Sequence, residues 1–320
     1  MGAIRFDNVT KQFAGMSHPA VDHCSFDVED GSFVVLLGPS GCGKTTLLKM
    51  VNRLYEPTEG TIYLGDIDIR QMNVNGLRRR IGYVIQQTGL FPHMTVAENV
   101  SVVPRLLGWK PERRARRVDE LLTLVELPPE EYRDRYPSQM SGGQQQRVGV
   151  ARALAGDPQV ILMDEPFGAI DAITRAGLQN ELIALQRQVR KTILFVTHDV
   201  EEALYLADKI VVMREGQVVQ YDRPFTILTQ PADSFVAELV GAEDIVRQLS
   251  LIRVEAAMTP APVQGLPEDQ PTVSCTDHLR HALSLLLRTG APALTVTENG
   301  QAVGVLTLEH IRHSTKQVPA

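Results

Sequence analysis

The sequence predicts an α/β protein built on a mostly parallel sheet, with a small α+β unit following it. Three observations carry this reading. Short β-like runs recur at Ala3 to Val9, Phe33 to Leu37, Ile81 to Ile85, Val160 to Met163, Thr192 to Val196 and Lys209 to Met213, with helical patterns between several of them. That alternation produces parallel strands joined by crossover helices. Between Thr88 and Asp157 the strand signal stops and helical patterns such as Pro111 to Val125 take over, so 88–157 reads as a helical insertion into the α/β core. From Arg253 onward a second unit is expected: a turn-rich stretch MTPAPVQGLPEDQP, a helix with Leu279, Ala282, Leu283 and Leu286 at i, i+3, i+4, i+7, then two strands meeting at Asn299-Gly300. The expected divisions are 1–241, a linker at 242–252, and 253–320. The last unit is short for a free-standing core, which predicts pairing with a copy from another chain.

Composition narrows the function. A net charge of −6 argues against nucleic acid as the main partner, since phosphate-backbone binding needs a basic surface. No apolar run approaches the ~18 residues that cross a bilayer, and no charged-then-apolar leader precedes the first strand, so a cytosolic chain is expected, with any membrane role running through a partner. Cys24, Cys42 and Cys275 form no spaced cluster and read as free thiols, Cys42 as a small side chain fitted into a tight turn. The run Arg113, Arg114, Arg116, Arg117 reads as a solvated helix face ahead of a nucleic-acid or lipid contact.

The chemistry is concentrated in a few segments. Gly38 to Thr45 reads G-P-S-G-C-G-K-T, after an apolar strand and before the helix-like TLLKMVNRL. This is the strand-loop-helix setting of a phosphate-binding loop. Its glycines let backbone N–H groups turn around the β- and γ-phosphates of a nucleoside triphosphate, with the helix dipole behind them. Lys44 supplies charge to those phosphates, Thr45 a hydroxyl to Mg²⁺, and Gly38, Pro39, Ser40, Gly41, Cys42, Gly43, Lys44, Thr45 and Thr46 make up the expected nucleotide contacts. A second apolar run, Val160 to Met163, ends in Asp164-Glu165, two carboxylates at the C-terminal end of a strand, where ligands sit in open α/β sheets. Asp164 suits Mg²⁺, and Glu165 suits polarising a water for in-line attack on the γ-phosphate.

A third element follows the same logic. Ser141-Gly142-Gly143-Gln144 opens a helix-like run, QQRVGVARAL, so its amides and helix dipole can face an anion. Together with the phosphate loop and Asp164-Glu165, this S-G-G-Q run resembles the signature of ATP-binding-cassette (ABC) ATPases over roughly residues 1–241. The resemblance implies a P-loop NTPase core with an antiparallel N-terminal β subdomain and a helical signature subdomain. It implies a homodimer that binds ATP and Mg²⁺, in which Ser141, Gly142, Gly143 and Gln144 contact ATP held by the opposite subunit. Residue by residue, Gln86 matches the Q-loop glutamine that joins Thr45 and Asp164 at the metal, and Asp171 in GAID matches the aspartate that crosses the dimer, with Ile170 where leucine is common. His198 in VTHD matches the switch histidine beside Glu165, and Phe13 matches an aromatic that stacks on adenine.

The stretch QTGLFPHMTVAENV resembles importer ATPases, in which a groove near the Q-loop receives a short helix of a transmembrane permease. IGYVIQQTGLFPHMTVAENV and the C-terminal unit are most similar to those of quaternary-amine importers, which take up glycine betaine, carnitine, choline or related osmoprotectants. This implies a place at the cytoplasmic face of the cell membrane and an extracytoplasmic substrate-binding protein as an indirect partner. The C-terminal unit resembles a single cystathionine-β-synthase-type (CBS) repeat at AAMTP, DHLRHALSLLLRTG and GVLTLEHI. Nucleotide-binding repeats carry an aspartate three positions after a hydroxyl residue; here Thr307 is followed by His310, so nucleotide sensing is not expected. From Arg253 to Ala320 five basic residues stand against six acidic ones, which does not make a cationic patch. The pairs His278/His281 and His310/His313 suggest a proton-responsive tail or a weak metal site formed on dimerisation, set against plain solvated helix faces. Three alternatives to an osmoprotectant importer ATPase stay open at this point: an importer ATPase for amino acids, polyamines or oxyanions, a soluble ABC ATPase acting as a clamp, and a regulatory module with a degenerate ATPase.

Overall fold

The computed structural model describes residues 2–86, 89–168, 170–260 and 270–316. The chain divides into two units, Met1–Tyr221 and Asp222–Ala320. In the first, β1 (Gly2–Lys11) pairs antiparallel with β2 (Val21–Glu29). β3 (Phe33–Leu37) is buried along its whole length and leads through the phosphate loop into α1 (Lys44–Val51). Next come β4 (Glu59–Leu64), β5 (Ile67–Asp68), α2 (Val74–Arg79) and β6 (Ile81–Val84). The helical insertion follows as α3 (Val96–Leu106), α4 (Pro111–Leu124), α5 (Pro129–Tyr132) and α6 (Gly142–Leu154), with no strand among its described residues. β7 (Val160–Asp164), α7 (Ala172–Val189), β8 (Thr192–Thr197), α8 (Val200–Leu206), β9 (Lys209–Arg214) and β10 (Gln217–Asp222) complete the unit.

Two sheets result. One has the order β2-β1-β4-β5, with antiparallel neighbours; the other has the order β10-β9-β3-β8-β7-β6, parallel from β9 to β6. In the parallel sheet β3, β7 and β8 carry no exposed residue, because helices cover both faces of such a sheet and only continuous apolar runs fit there. These are also the strands whose ends bear Gly38, Asp164 and His198. Both sheets share one core in which Ile4, Phe6, Leu36, Leu47, Ile62 and Leu162 are completely or almost completely buried.

The second unit contains α9 (Pro224–Thr229), α10 (Ser234–Val240) and α11 (Ile245–Leu249), then β11 (Thr259–Pro260), β12 (Thr272–Ser274), α12 (Leu279–Thr289), β13 (Ala293–Glu298), β14 (Gln301–Thr307) and α13 (Leu308–Lys316). Its sheet order is β11-β14-β13-β12. β13 and β14 meet at Asn299 and Gly300, both at positive φ, the hairpin chemistry expected of that pair. The domain boundary differs from the expectation: it falls at Tyr221, and residues 242–252 are not a linker. Asp244 caps α11 by accepting from the amides of Val246 and Arg247, and Leu249 packs into the same core as Val254, Leu279, Ala282 and Leu294. Most of the turn-rich stretch, residues 261–269, lies outside the described residues, as do Gln87 and Thr88 of the importer-like segment.

Candidate functional site

The phosphate loop is held from below and open above. Gly38 has φ +157° and Gly43 +105°; a Cβ on either would stand 2.3 Å from a carbonyl oxygen, of Met213 and Ala20 respectively. Gly41, at φ +83°, has open space around it. Glycine is therefore required for conformation at all three and for close approach at two. Beneath the loop the Cys24 thiol donates to Gly216 O at 3.2 Å, and Gly216 N donates to Cys42 O at 3.1 Å. Both thiols are buried, and burial pushes the pKa of each upward, Cys24 to about 11, so neither is poised as a nucleophile. The Lys44 ammonium donates to Gly38 O at 2.6 Å and Pro39 O at 2.9 Å, which fixes a buried cation within the loop's curve.

The two carboxylates at the end of β7 have different surroundings. Asp164 is buried, and its Oδ1 accepts from Thr45 Oγ1 at 2.8 Å. Burial raises its pKa, while the Thr45 hydrogen bond and Lys49 pull it back. Tyr83, on β6, lies against it, and burial together with Asp164 holds the phenol protonated. Glu165 leaves the strand at φ +44°, a strained backbone for a non-glycine residue, with its N–H donated to Val196 O at 3.0 Å. Its Oε2 accepts from Gln86 Nε2 at 3.1 Å and lies 3.3 Å from His198 Nδ1. One oxygen thus joins the ends of β6, β7 and β8. A carboxylate so placed can take a proton from water, and the two partners fix its direction.

These donors suit a magnesium triphosphate. The glycine curvature admits phosphate oxygens that a Cβ would exclude, Lys44 is a fixed cation, and Thr45 with Asp164 forms a hard oxygen pair of the kind Mg²⁺ takes. When bound, the ion neutralises charge on the β- and γ-phosphates. Phe13 is half-buried just beyond β1 and outside the core, 5.2 Å edge-on from Tyr55 with Lys11 Nζ 5.1 Å above its ring. It is therefore not a core phenylalanine of the strand.

Ser141, exposed, is the N-cap of α6 in a reciprocal capping box: its Oγ accepts from Gln144 N at 3.3 Å and Gln144 Oε1 accepts from Ser141 N at 3.0 Å. A Cβ at Gly142 would meet nothing within 4 Å, whereas at Gly143 it would stand 2.8 Å from Thr174. Asp171 caps α7 by accepting from Thr174 N at 3.1 Å. The phosphate loop, Asp164, Glu165, Gln86 and His198 thus come together within one chain; Ser141 and Asp171 start two other helices.

Four residues escaped the sequence reading: Arg175, Thr197, Asp199 and Glu202. Arg175 donates to Ile170 O at 3.1 Å and lies 3.4 Å from Asp199 Oδ2, so it ties the Asp171 turn to the His198 turn. Asp199 caps α8, and Thr197 donates to buried Glu202 at 2.7 Å, fixing the backbone on both sides of His198. The T-H-D-V-E-E spacing is a helix-start signal that could have revealed Asp199; an arginine inside an amphipathic helix gives none for Arg175. In the second unit Thr307 and His310 cap α13 reciprocally, and His310 Nε2 is 3.2 Å from Thr259 Oγ1. No group of three or more His, Cys, Asp or Glu side chains converges on a metal-sized site among the described residues.

A model of the ABC transporter family matches residues 21–168. The chain is 46% identical over 310-odd residues to two proteins: the glycine betaine/carnitine/choline transport ATP-binding protein OpuCA of Bacillus subtilis, covering 98% of this chain and 80% of that one, and the glycine betaine uptake system ATP-binding protein YehX of Escherichia coli, covering 96% and 98%. Among solved structures, the dimeric ATP-binding cassette MJ0796, in a post-hydrolysis state with ADP and Pi, superposes with a TM-score of 0.61 at 35% identity over 69% of this chain and 98% of that one. With the phosphate loop, the paired carboxylates and the histidine brought together as described, the chain belongs to the ABC transporter family as an ATP-hydrolysing subunit.

Proposed function

We propose that this subunit energises uptake of quaternary-amine osmoprotectants of the glycine betaine, carnitine and choline type through a partner permease. The observation that carries the cargo is the reach of the likeness: identity of 46% extends over 96–98% of the chain, into the C-terminal unit, in proteins whose names specify those solutes. In this reading Glu165 is the base, His198 and Gln86 orient it, and Thr45 with Asp164 holds Mg²⁺. Phe13 stacks on adenine, and Ser141 to Gln144 together with Asp171 act across the dimer. The degenerate-ATPase alternative loses ground because the carboxylate, glutamine and histidine share one oxygen.

The cleft of about 330 Å³ lined by Arg78, Tyr83, Phe91, Val103 and Arg152 suits the short permease helix. An extracytoplasmic binding protein would deliver cargo on the far side of the membrane, with this subunit at the cytoplasmic face. The C-terminal unit is read as one CBS-like repeat. The β12-α12-β13-β14-α13 order supports this, and Leu287, 71% exposed on α12, supports its pairing with a second copy. Reconstitution with copurifying membrane subunits, followed by a panel of betaine, carnitine, choline, spermidine and amino acids, tests the cargo. Turnover stimulated by a quaternary amine alone is expected; stimulation by an amino acid or polyamine instead would replace this cargo.

A further inference from the structure

The elbow between α3 and α4 has a composition at odds with the rest of the chain. Residues 105–117 hold six cationic side chains and one acidic residue, Glu112, in a protein of net charge −6. Two cations of the neighbourhood are used internally: Arg117 donates to Leu154 O and approaches Glu120, and Arg133 pairs with Asp119. Arg105, Lys110, Arg113, Arg114 and Arg116 have no ion pair among the described residues. At the turn itself Leu106 is 60% exposed, and Trp109, the one tryptophan of the chain, carries the Arg113 guanidinium 3.6 Å above its ring. Beside it opens a cleft of about 310 Å³ lined by Arg105, Arg114, Arg133, Glu98 and Ser101, and the Arg114 Nε is buried there without a hydrogen-bond partner.

We propose that this elbow is a docking surface for an anionic lipid bilayer. Leu106 and Trp109 enter the headgroup boundary, and the cleft takes a lipid phosphate between Arg105 and Arg114. The combination selects the partner: cations alone would suit any polyanion, but an exposed leucine and a tryptophan among them match the layered polarity of a membrane interface. Glu98 within the cleft limits the charge it can accept to a single phosphate. The inference goes beyond the transport reading and does not depend on its cargo.

Trp109 is its own reporter. The full-length chain is mixed with vesicles of phosphatidylcholine alone or with phosphatidylglycerol added, and tryptophan emission and vesicle flotation are measured. Anionic vesicles are expected to blue-shift the emission and carry the protein upward, with both effects lost in about 0.5 M salt. Arg105→Gln/Arg113→Gln/Arg116→Gln, all exposed positions, is expected to lower partitioning about 100-fold while soluble ATPase activity and circular dichroism stay unchanged. Leu106→Ser is expected to keep adsorption but reduce the blue shift. Equal behaviour with neutral vesicles, or no binding to either, would overturn the proposal. So would an emission change that requires purified permease in a neutral bilayer, which would assign the elbow to an acidic protein loop.

Discussion

Two glycine-bearing helix starts, at α1 and at α6, are built in opposite ways. At α1 the N-cap is Gly43, left-handed and without a side-chain cap, and the loop before it is wedged against Ala20 and Met213. Its amides are left for a ligand, and a cation from the same chain stands among them. At α6 the cap is a serine in a closed capping box, Gly142 faces open space, and no lysine or carboxylate of the site is near in sequence. The first gathers its donors, cation and carboxylate within one chain; the second is a capped, exposed polar surface with none of these beside it in sequence. That contrast is what the proposed sharing of a nucleotide between two copies requires; the similar cassette MJ0796 is dimeric and bound to ADP and Pi.

The largest effect is expected at Glu165. Glu165→Gln keeps the shape of the α1 site but removes its proposed base, so turnover should fall by about 10²–10⁴-fold while ATP still binds, measured by phosphate release and nucleotide titration. Sizing chromatography of this variant with ATP should show a dimer. A persistent monomer would leave the α6 surface without its expected occupant. Ser141→Arg attacks the other side: turnover should drop about 100-fold, with the affinity of the isolated chain for ATP within about threefold of wild type. An equal loss of affinity would mean that the two helix starts are not separable.

Stability should divide along the same line. Gly43→Ala places a methyl group against Ala20 O in a left-handed backbone and should cost about 3 kcal/mol in chemical denaturation. Gly142→Ala should stay within about 0.5 kcal/mol. The smallest effect concerns the floor of the loop. The Cys24 thiol is raised from about 9 to about 11, so the unfolded chain ionises first and folded stability falls as pH rises through that window. Between pH 8 and 11 the wild type should lose about 2 to 3 kcal/mol more than Cys24→Ala.

Legibility in the sequence follows the same physics. Strands buried on both faces were readable because burial demands unbroken apolar runs, and β3 spans the expected residues while β7 and β8 extend them by one. β2 was missed: His23 at φ +48° breaks the alternation of Val21, Cys24, Phe26 and Val28, so the period of two is lost in the letters though kept in space. β10 was missed because its residues are half exposed on an edge. Within the site, residues that would touch nucleotide occupy fixed motifs, whereas Arg175 acts by joining two turns that are distant in sequence until α7 packs beside α8. The domain boundary was misplaced because α9 to α11 carry ordinary amphipathic patterns that do not say which core they join.

The one-sided support of the phosphate loop also sets which of its letters can drift. Gly38 and Gly43 are held by both backbone angle and lack of room, Gly41 by angle alone, while Pro39 and Ser40 are exposed and at ordinary φ. A saturation library across these positions should therefore recover a gradient of tolerance, with nearly all surviving diversity at 39 and 40, and any label or cross-linker meant to leave the loop's shape intact belongs there.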